Sequence, residues 1–385
     1  MTSQAMATAD ATMAATPDRL AAVLDVIRTR RAEFEKLAHV PRDMVALLRE
    51  VGCYRAFVPE RLGGDALSPA AFCRLIETIS TADASTGWVA SFGVSSTYLA
   101  ALPPETFAAI YADPDTVFAG AMFPPQAAVP EGGQLRVSGR WPWCSGSMGA
   151  DYVGVGIKLA GEASPLPRSA VLPRSAVTID PTWNTIGLRA TGSHDVVVKD
   201  RLVERDWTFV RGAAPRMDDP QFRYPSMALA AQVLAVVALG AAREALDWVR
   251  SDAARRASIT GAPSPGARPY VQTDLARAEG KLGGARAFFY DMIESGWDEL
   301  LTTGDTSPRT RINLRLAATT AAHEGAEAAR IAFCLGGSNA MFAGHTLGRC
   351  MVDAACVAQH AFLNGGTWTA AGAGMFGEAT PPGYP

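Results

Sequence analysis

Apolar residues recur at helical spacing near both ends of the chain, and a β-patterned stretch lies between them. Leu20, Val23, Leu24 and Ile27, then Met44, Leu47, Leu48 and Val51, keep the three-and-four spacing of one helix face. Pro41 opens the second of these helices and Gly52 closes it, as their fixed and free backbone angles favour. Residues 59–69 read as a loop, after which Ser68-Pro69 starts a helix through Ile76 and Ile79. The small apolar residues from Thr86 to Leu102 predict one buried helix.

From Asp115 to Val210 short β-rich runs alternate with Gly/Pro turns, among them Val117–Met122, Tyr152–Ile157, Ser169–Leu172 and Asp195–Val198. That spacing predicts a small sandwich or barrel. Beyond Pro225, four Ala/Leu/Val-rich stretches (Met227–Arg250, Val271–Leu301, Arg311–Leu335 and Gly348–Phe362) fit an antiparallel four-helix bundle. The fold class is therefore α+β and mainly helical. A tail covers 1–17, a helical domain 18–114, a β domain 115–212 and the bundle 213–385. The Ala-rich runs Ala228–Ala242 and Ala317–Ala332 hold more apolar surface than one bundle core needs, which predicts a homotetramer or dimer.

Composition narrows the function classes. A net charge of −3 argues against nucleic-acid binding, which needs concentrated positive charge. No apolar run reaches the length of a membrane span, so no membrane partner is expected. The first 17 residues lack the basic and apolar regions of a secretion signal and read as disordered. Six scattered cysteines without a CxxC pair fit free thiols in the cytoplasm and offer no metal site.

The segment Trp141–Tyr152 concentrates candidate chemistry. Two tryptophans, a serine and small residues form a loop between two strands, offering an aromatic face and a hydroxyl to a flat ligand. Taken alone, a Trp-rich hairpin is more often core. Four motifs in order change that balance: Trp143-Cys144-Ser145-Gly146; the run from Gly187 to Val196, GLRATGSHDV; Leu335-Gly336-Gly337; and Leu347-Gly348-Arg349 with Asp353-Ala354. Together they resemble the acyl-CoA dehydrogenase superfamily over nearly the whole chain. The closer likeness is to its branch of two-component flavin-dependent monooxygenases.

Departures from the dehydrogenase pattern fix the expected chemistry. No carboxylate occurs between Asp353 and Glu378, where the dehydrogenases carry the base that removes a thioester α-proton. Met122-Phe123-Pro124-Pro125 replaces their acidic loop, Gln359-His360 matches the monooxygenase branch, and Val352 stands where the branch has a second arginine. On a helix, Arg349, Asp353, Cys356 and His360 would share one stripe.

The resemblance implies reduced FMN or FAD from a separate reductase, O2 as co-substrate, and hydroxylation of a small aromatic or phenolic substrate through a C4a-hydroperoxyflavin. It assigns Trp143, Cys144, Ser145, Arg256 (or Arg255), Gly336 and Gly337 to the cofactor. Ser145, through its backbone or its hydroxyl, would act as a donor near flavin N5, and Phe123, Trp141 and His345 would line the substrate pocket. His360, titrating near the usual value of about 6.5, would take a proton from the substrate. N- or S-oxygenation, acyl-CoA oxidation and a catalytically silent binding subunit are the alternatives.

Overall fold

The computed structural model describes residues 17–164, 166–255, 261, 263–381 and 384. The predicted tail thus lies outside the described residues except for Pro17, which begins helix α1 (Pro17–Leu37). Helices α2 (Arg42–Glu50) and α3 (Pro69–Ser80) follow. Ser68 caps α3 by accepting from the Ala71 N–H at 3.2 Å, with Pro69 at the first helical position.

The buried helix predicted from Thr86 to Leu102 is buried but broken. It forms α4 (Ala84–Ala90), a tight turn over Ser91–Val94 and α5 (Ser95–Leu99). Glycine and serine are weak helix formers, and a side chain at Gly93 would strike the Cys53 carbonyl, so tertiary packing sets the break. Helix α6 (Pro104–Ile110) ends the first segment.

Seven strands form the middle segment: β1 (Phe118–Glu131), β2 (Gln134–Cys144), β3 (Tyr152–Lys158), β4 (Arg168–Pro173), β5 (Thr178–Asp180), β6 (His194–Glu204) and β7 (Thr208–Val210). Their order is β5-β6-β2-β1-β3-β4-β7, with only β1 and β3 parallel. The sheet is continuous because β1 serves two ladders. Residues 118–127 pair with β3, a register shift follows Ala121, and residues 128–131 pair with β2.

After the short α7 (Pro220–Arg223), the bundle comprises α8 (Ser226–Arg255), α9 (Pro269–Thr303), α10 (Pro308–Leu335) and α11 (Thr346–Ala358); α12 (Gly366–Met375) lies against α10. Gly325 of α10 sits on the Ala238 backbone of α8, where a Cβ would lie 2.9 Å from the carbonyl, so small residues let these helices approach closely.

Two sequence expectations fail here. Ser226–Ala253 is long and apolar enough to cross a membrane, yet 83% of its most apolar window is buried inside the protein, as in a core helix. The Ala228–Ala242 run is spent on that same core, so it does not argue for assembly. The most exposed apolar residues lie elsewhere, at Ile186, Met341, Phe342 and Phe376.

Helix α11 also stops earlier than its pattern suggests. It ends at Ala358, and His360 sits in the following turn, its N–H on the Val357 carbonyl at 3.1 Å. The predicted stripe is therefore divided. Arg349 pairs with Glu244 of α8 at 3.2 Å, while Asp353, 4% exposed, accepts from the Leu188 N–H at 2.6 Å. Gly187 lies so close to Val352 that a Cβ would come within 2.7 Å of its carbonyl oxygen. Two motifs distant in sequence thus meet at this contact.

Candidate active site

A cavity of about 670 Å³ opens where the three segments meet. Trp88 and Tyr98 come from the first, Phe123, Trp143 and Ser145 from the sheet, and His360 from the turn after α11. Its size suits a small aromatic ligand beside part of a cofactor.

Trp143 reaches the cavity through a bulge. Regular alternation would put Trp141 and Trp143 on one face of β2. Instead the register against β6 shifts between Trp141 and Cys144, and Trp143 takes a left-handed φ of 62°. Trp141 is fully buried, its indole N–H on the Gly156 carbonyl at 2.7 Å, whereas Trp143 is 65% exposed. Such a backbone costs about 1–3 kcal/mol and persists where the surroundings enforce it.

Ser145 begins a ladder of buried hydroxyls whose direction can be counted. The Thr191 hydroxyl lies 2.8 Å from the Leu188 carbonyl, which can only accept, so Thr191 donates. Its single proton is then used, and Ser193 is the donor across 2.7 Å. By the same count Ser145 donates to Ser193 across 2.6 Å. Ser145 therefore turns oxygen lone pairs toward the cavity, so its hydroxyl acts as an acceptor there and not as the expected donor, while its backbone N–H is on the Trp143 carbonyl at 3.0 Å.

His360 is held between Trp88 and Phe362, its ring edge-on to theirs at 5.5 and 5.0 Å. Its Nδ1 accepts the Phe362 N–H at 3.2 Å, so the neutral ring carries its proton on Nε2. Burial, with the Arg211 charge adding to it, pushes its pKa down to about 4. The ring is neutral at pH 7 and offers an N–H, not a vacant lone pair. The proton-acceptor role expected near pH 6.5 does not fit this tautomer.

Among the described residues lining the cavity are two arginines, Arg211 and Arg315, and no aspartate or glutamate. A carboxylate base for thioester chemistry is therefore missing from its described wall as well as from residues 354–377 of the sequence.

Family models for the acyl-CoA dehydrogenase N-terminal and C-terminal domains match residues 20–103 and 232–365. An indole-3-acetate monooxygenase of Pseudomonas putida is 51% identical over 100% of both chains. The chain belongs to the acyl-CoA dehydrogenase family. Within it, the protein is a flavin-dependent monooxygenase acting on aromatic substrates. An FADH2-dependent resorcinol hydroxylase, oxygenase component, of Rhizobium sp. is 30% identical over 69% of each chain. The crystal structure of a 3-HSA hydroxylase from Rhodococcus sp. RHA1 superposes with a TM-score of 0.89, at 25% identity, covering 95% of this chain and 98% of that one. As an oxygenase component, the monooxygenase depends on a separate reductase.

The wall of the monooxygenase's cavity suits a reduced flavin. The Ser145 lone pairs complement the N–H that reduced flavin carries at N5, and the exposed Trp143 indole offers a stacking face. Trp88 Nε1, Ser95 Oγ and Ser169 Oγ line the same space, buried and without protein partners, as donors for ligand carbonyls or carboxylates.

Other predicted residues lie elsewhere. Trp141 is core, as above. Cys144 is fully buried, which pushes its thiol up to about 12 and leaves it an inert neighbour of Ser145. His345 borders a separate cleft of about 400 Å³ with Arg189 and Phe342, and caps α11 by accepting the Leu347 N–H at 3.2 Å. The Gly336 N–H is taken by the Ala332 and Phe333 carbonyls, so it cannot cradle a phosphate. Gly337, with φ 64°, lies outside the main cavity lining. Arg256 lies outside the described residues, and the side chain of Arg255 is likewise not described. Sequence reasoning missed Trp88, Tyr98, Thr191, Ser193 and Arg211. Thr191 and Ser193 stand inside the 187–196 motif and were within reach; Arg211 carried no local signal.

Proposed function

We propose that this monooxygenase hydroxylates indole-3-acetate or a close arylacetic acid in the cavity between its three segments. The observation that carries the reading is the full-length identity of 51% to a relative of that name. A cavity with two arginines and no aspartate or glutamate among its described lining residues supports an anionic aromatic ligand. Oxygen comes from O2 activated on reduced flavin, the chemistry the cofactor supplies when bound. The chain's part is to stack the flavin on Trp143, accept its N5 proton bond at Ser145, exclude water with Phe123 and Phe92, and direct the His360 Nε2–H into the cavity. Supplying reduced flavin, indole-3-acetate and ¹⁸O2 should yield a product carrying one ¹⁸O atom; hydrogen peroxide with unchanged indole-3-acetate would refute the assignment.

Ser145→Ala should leave reduced-flavin affinity nearly intact but raise the ratio of peroxide to product several-fold, since one hydrogen bond contributes about 0.5–1.5 kcal/mol. Ser193→Ala, which frees the Ser145 hydroxyl to turn, should move that ratio the same way by less. An unchanged ratio in both would remove the hydroxyl from the oxygen chemistry.

Assembly as a homotetramer is supported by the exposed Ile186, Met341 and Phe342 around the second cleft. Light scattering should give four times the 40.5 kDa chain mass; a stable monomer with full flavin affinity would exclude it. We also infer a cytoplasmic site of action from the free, largely buried cysteines, which cell fractionation can contradict by placing the enzyme elsewhere.

A further inference from the structure

The geometry points to Arg211 as the residue that binds the substrate's carboxylate and so selects aromatic acids over neutral aromatics. This rests on the arylacetate reading above. Arg211 follows β7 in a turn fixed by its own N–H on the Pro167 carbonyl at 3.0 Å. Its guanidinium lies 3.8 Å from the centre of the Tyr98 ring, a cation–π contact, and also hydrogen-bonds the Tyr98 hydroxyl; the guanidinium has five N–H groups, so the others remain for a planar anion. Arg211 and Tyr98 both line the cavity, and among the described residues no carboxylate forms an ion pair with Arg211. A half-buried guanidinium facing a largely apolar space with no aspartate or glutamate among its described lining residues is stabilised by an anion arriving there.

The second cavity arginine is a poorer anchor. Arg315 is 3% exposed, donates to the Phe362 carbonyl at 3.3 Å and packs on the rings of Phe362 and Tyr384. Its charge is already embedded in the wall. Arg211 also lies near enough to His360 to disfavour its protonation, so a carboxylate on Arg211 keeps the substrate ring within the part of the cavity that His360 faces. Trp88, Phe92, Phe118 and Phe362 supply apolar surface to that ring.

A flavin phosphate has the same planar-anion chemistry, and the test separates the two sources. The full chain, saturated anaerobically with reduced flavin, is titrated calorimetrically with indole-3-acetate and with its neutral isostere indole-3-acetamide. The wild type should bind the acid at least tenfold more tightly than the amide. Arg211→Gln should weaken the acid about 100-fold and the amide less than threefold, with Arg211→Lys intermediate. In turnover the KM for the acid should rise by the same factor with kcat changed less than threefold. Reduced-flavin affinity of the variant should match the wild type.

Equal binding of acid and amide by the wild type overturns the anchor while leaving the arylacetate reading standing, and it needs no variant to fold. A loss of reduced-flavin affinity in Arg211→Gln overturns it in favour of the cofactor phosphate. Failure of both indole ligands to bind, with turnover of some other aromatic, overturns the anchor and the arylacetate reading together.

Discussion

Replacing His360 with alanine or asparagine should lower oxygen transfer about 10²–10³-fold, the usual cost of removing one positioned donor from a reacting site, while reduced-flavin affinity stays within a few-fold. The ring is clamped by Trp88 and Phe362 and oriented by the Phe362 N–H on Nδ1, so only Nε2–H is available to the cavity. With a folded pKa of about 4, the wild-type rate should show no ionisation of this group between pH 5.5 and 8. It should fall only as pH drops toward 4, where charging the ring also breaks the Nδ1 bond.

Stability follows the same group in a defined window. The folded pKa lies below the unfolded value of about 6.5, so below pH 6.5 the unfolded chain binds the extra proton and stability declines until the folded group titrates near 4. The full span is worth about 3 kcal/mol. His360→Asn should lack this contribution when urea unfolding is compared at pH 7 and 4.5. A rate that climbs through pH 6.5, or a variant that keeps full product formation, would show that the neutral donor is the wrong species.

Asp353→Ala should cost about 2–4 kcal/mol of unfolding free energy and raise peroxide release, whereas Asp353→Asn should do neither. Asp353 is the acceptor that holds the Leu188 N–H, and Leu188 has a left-handed φ of 48°. Its carbonyl in turn takes the Thr191 hydroxyl and the Trp183 indole N–H. Removing the acceptor strands a buried donor and releases a strained residue. The Asn oxygen can still accept.

Burial, reinforced by the charge of Asp83, raises the Asp353 carboxyl to about 8. The fold therefore disfavours its charged form, and the carboxylate costs stability as pH rises from about 4 to 8. Asp353→Asn should match the wild type near pH 4 and exceed it by a growing margin from there to pH 8. Equal urea midpoints for wild type and Asp353→Ala would dissolve this account.

The bundle and the order of the motifs were legible in the sequence because helical periodicity is local. Residue roles were legible only where they followed from local geometry. His345 and His360 both flank α11, and thirteen residues at 1.5 Å each place them about 20 Å apart. One cavity could not take both, and that much could have been derived. Trp141 and Trp143 could not be separated, because the bulge that buries one and exposes the other is a register event against β6. Arg211 was invisible for a similar reason, since what makes it notable is the Tyr98 ring beneath it and the acid-free space before it, both supplied by distant chain.

The hydroxyl ladder has an electrical consequence. A chain of hydroxyls passes protons only if it can reverse its direction and discharge at an ionisable end. This one runs from Ser145 through Ser193 and Thr191 and stops at an amide carbonyl, which can do neither. It is an insulator, fixing the polarity at Ser145 without draining charge from it. Protons set free in the cavity therefore do not leave along these three hydroxyls.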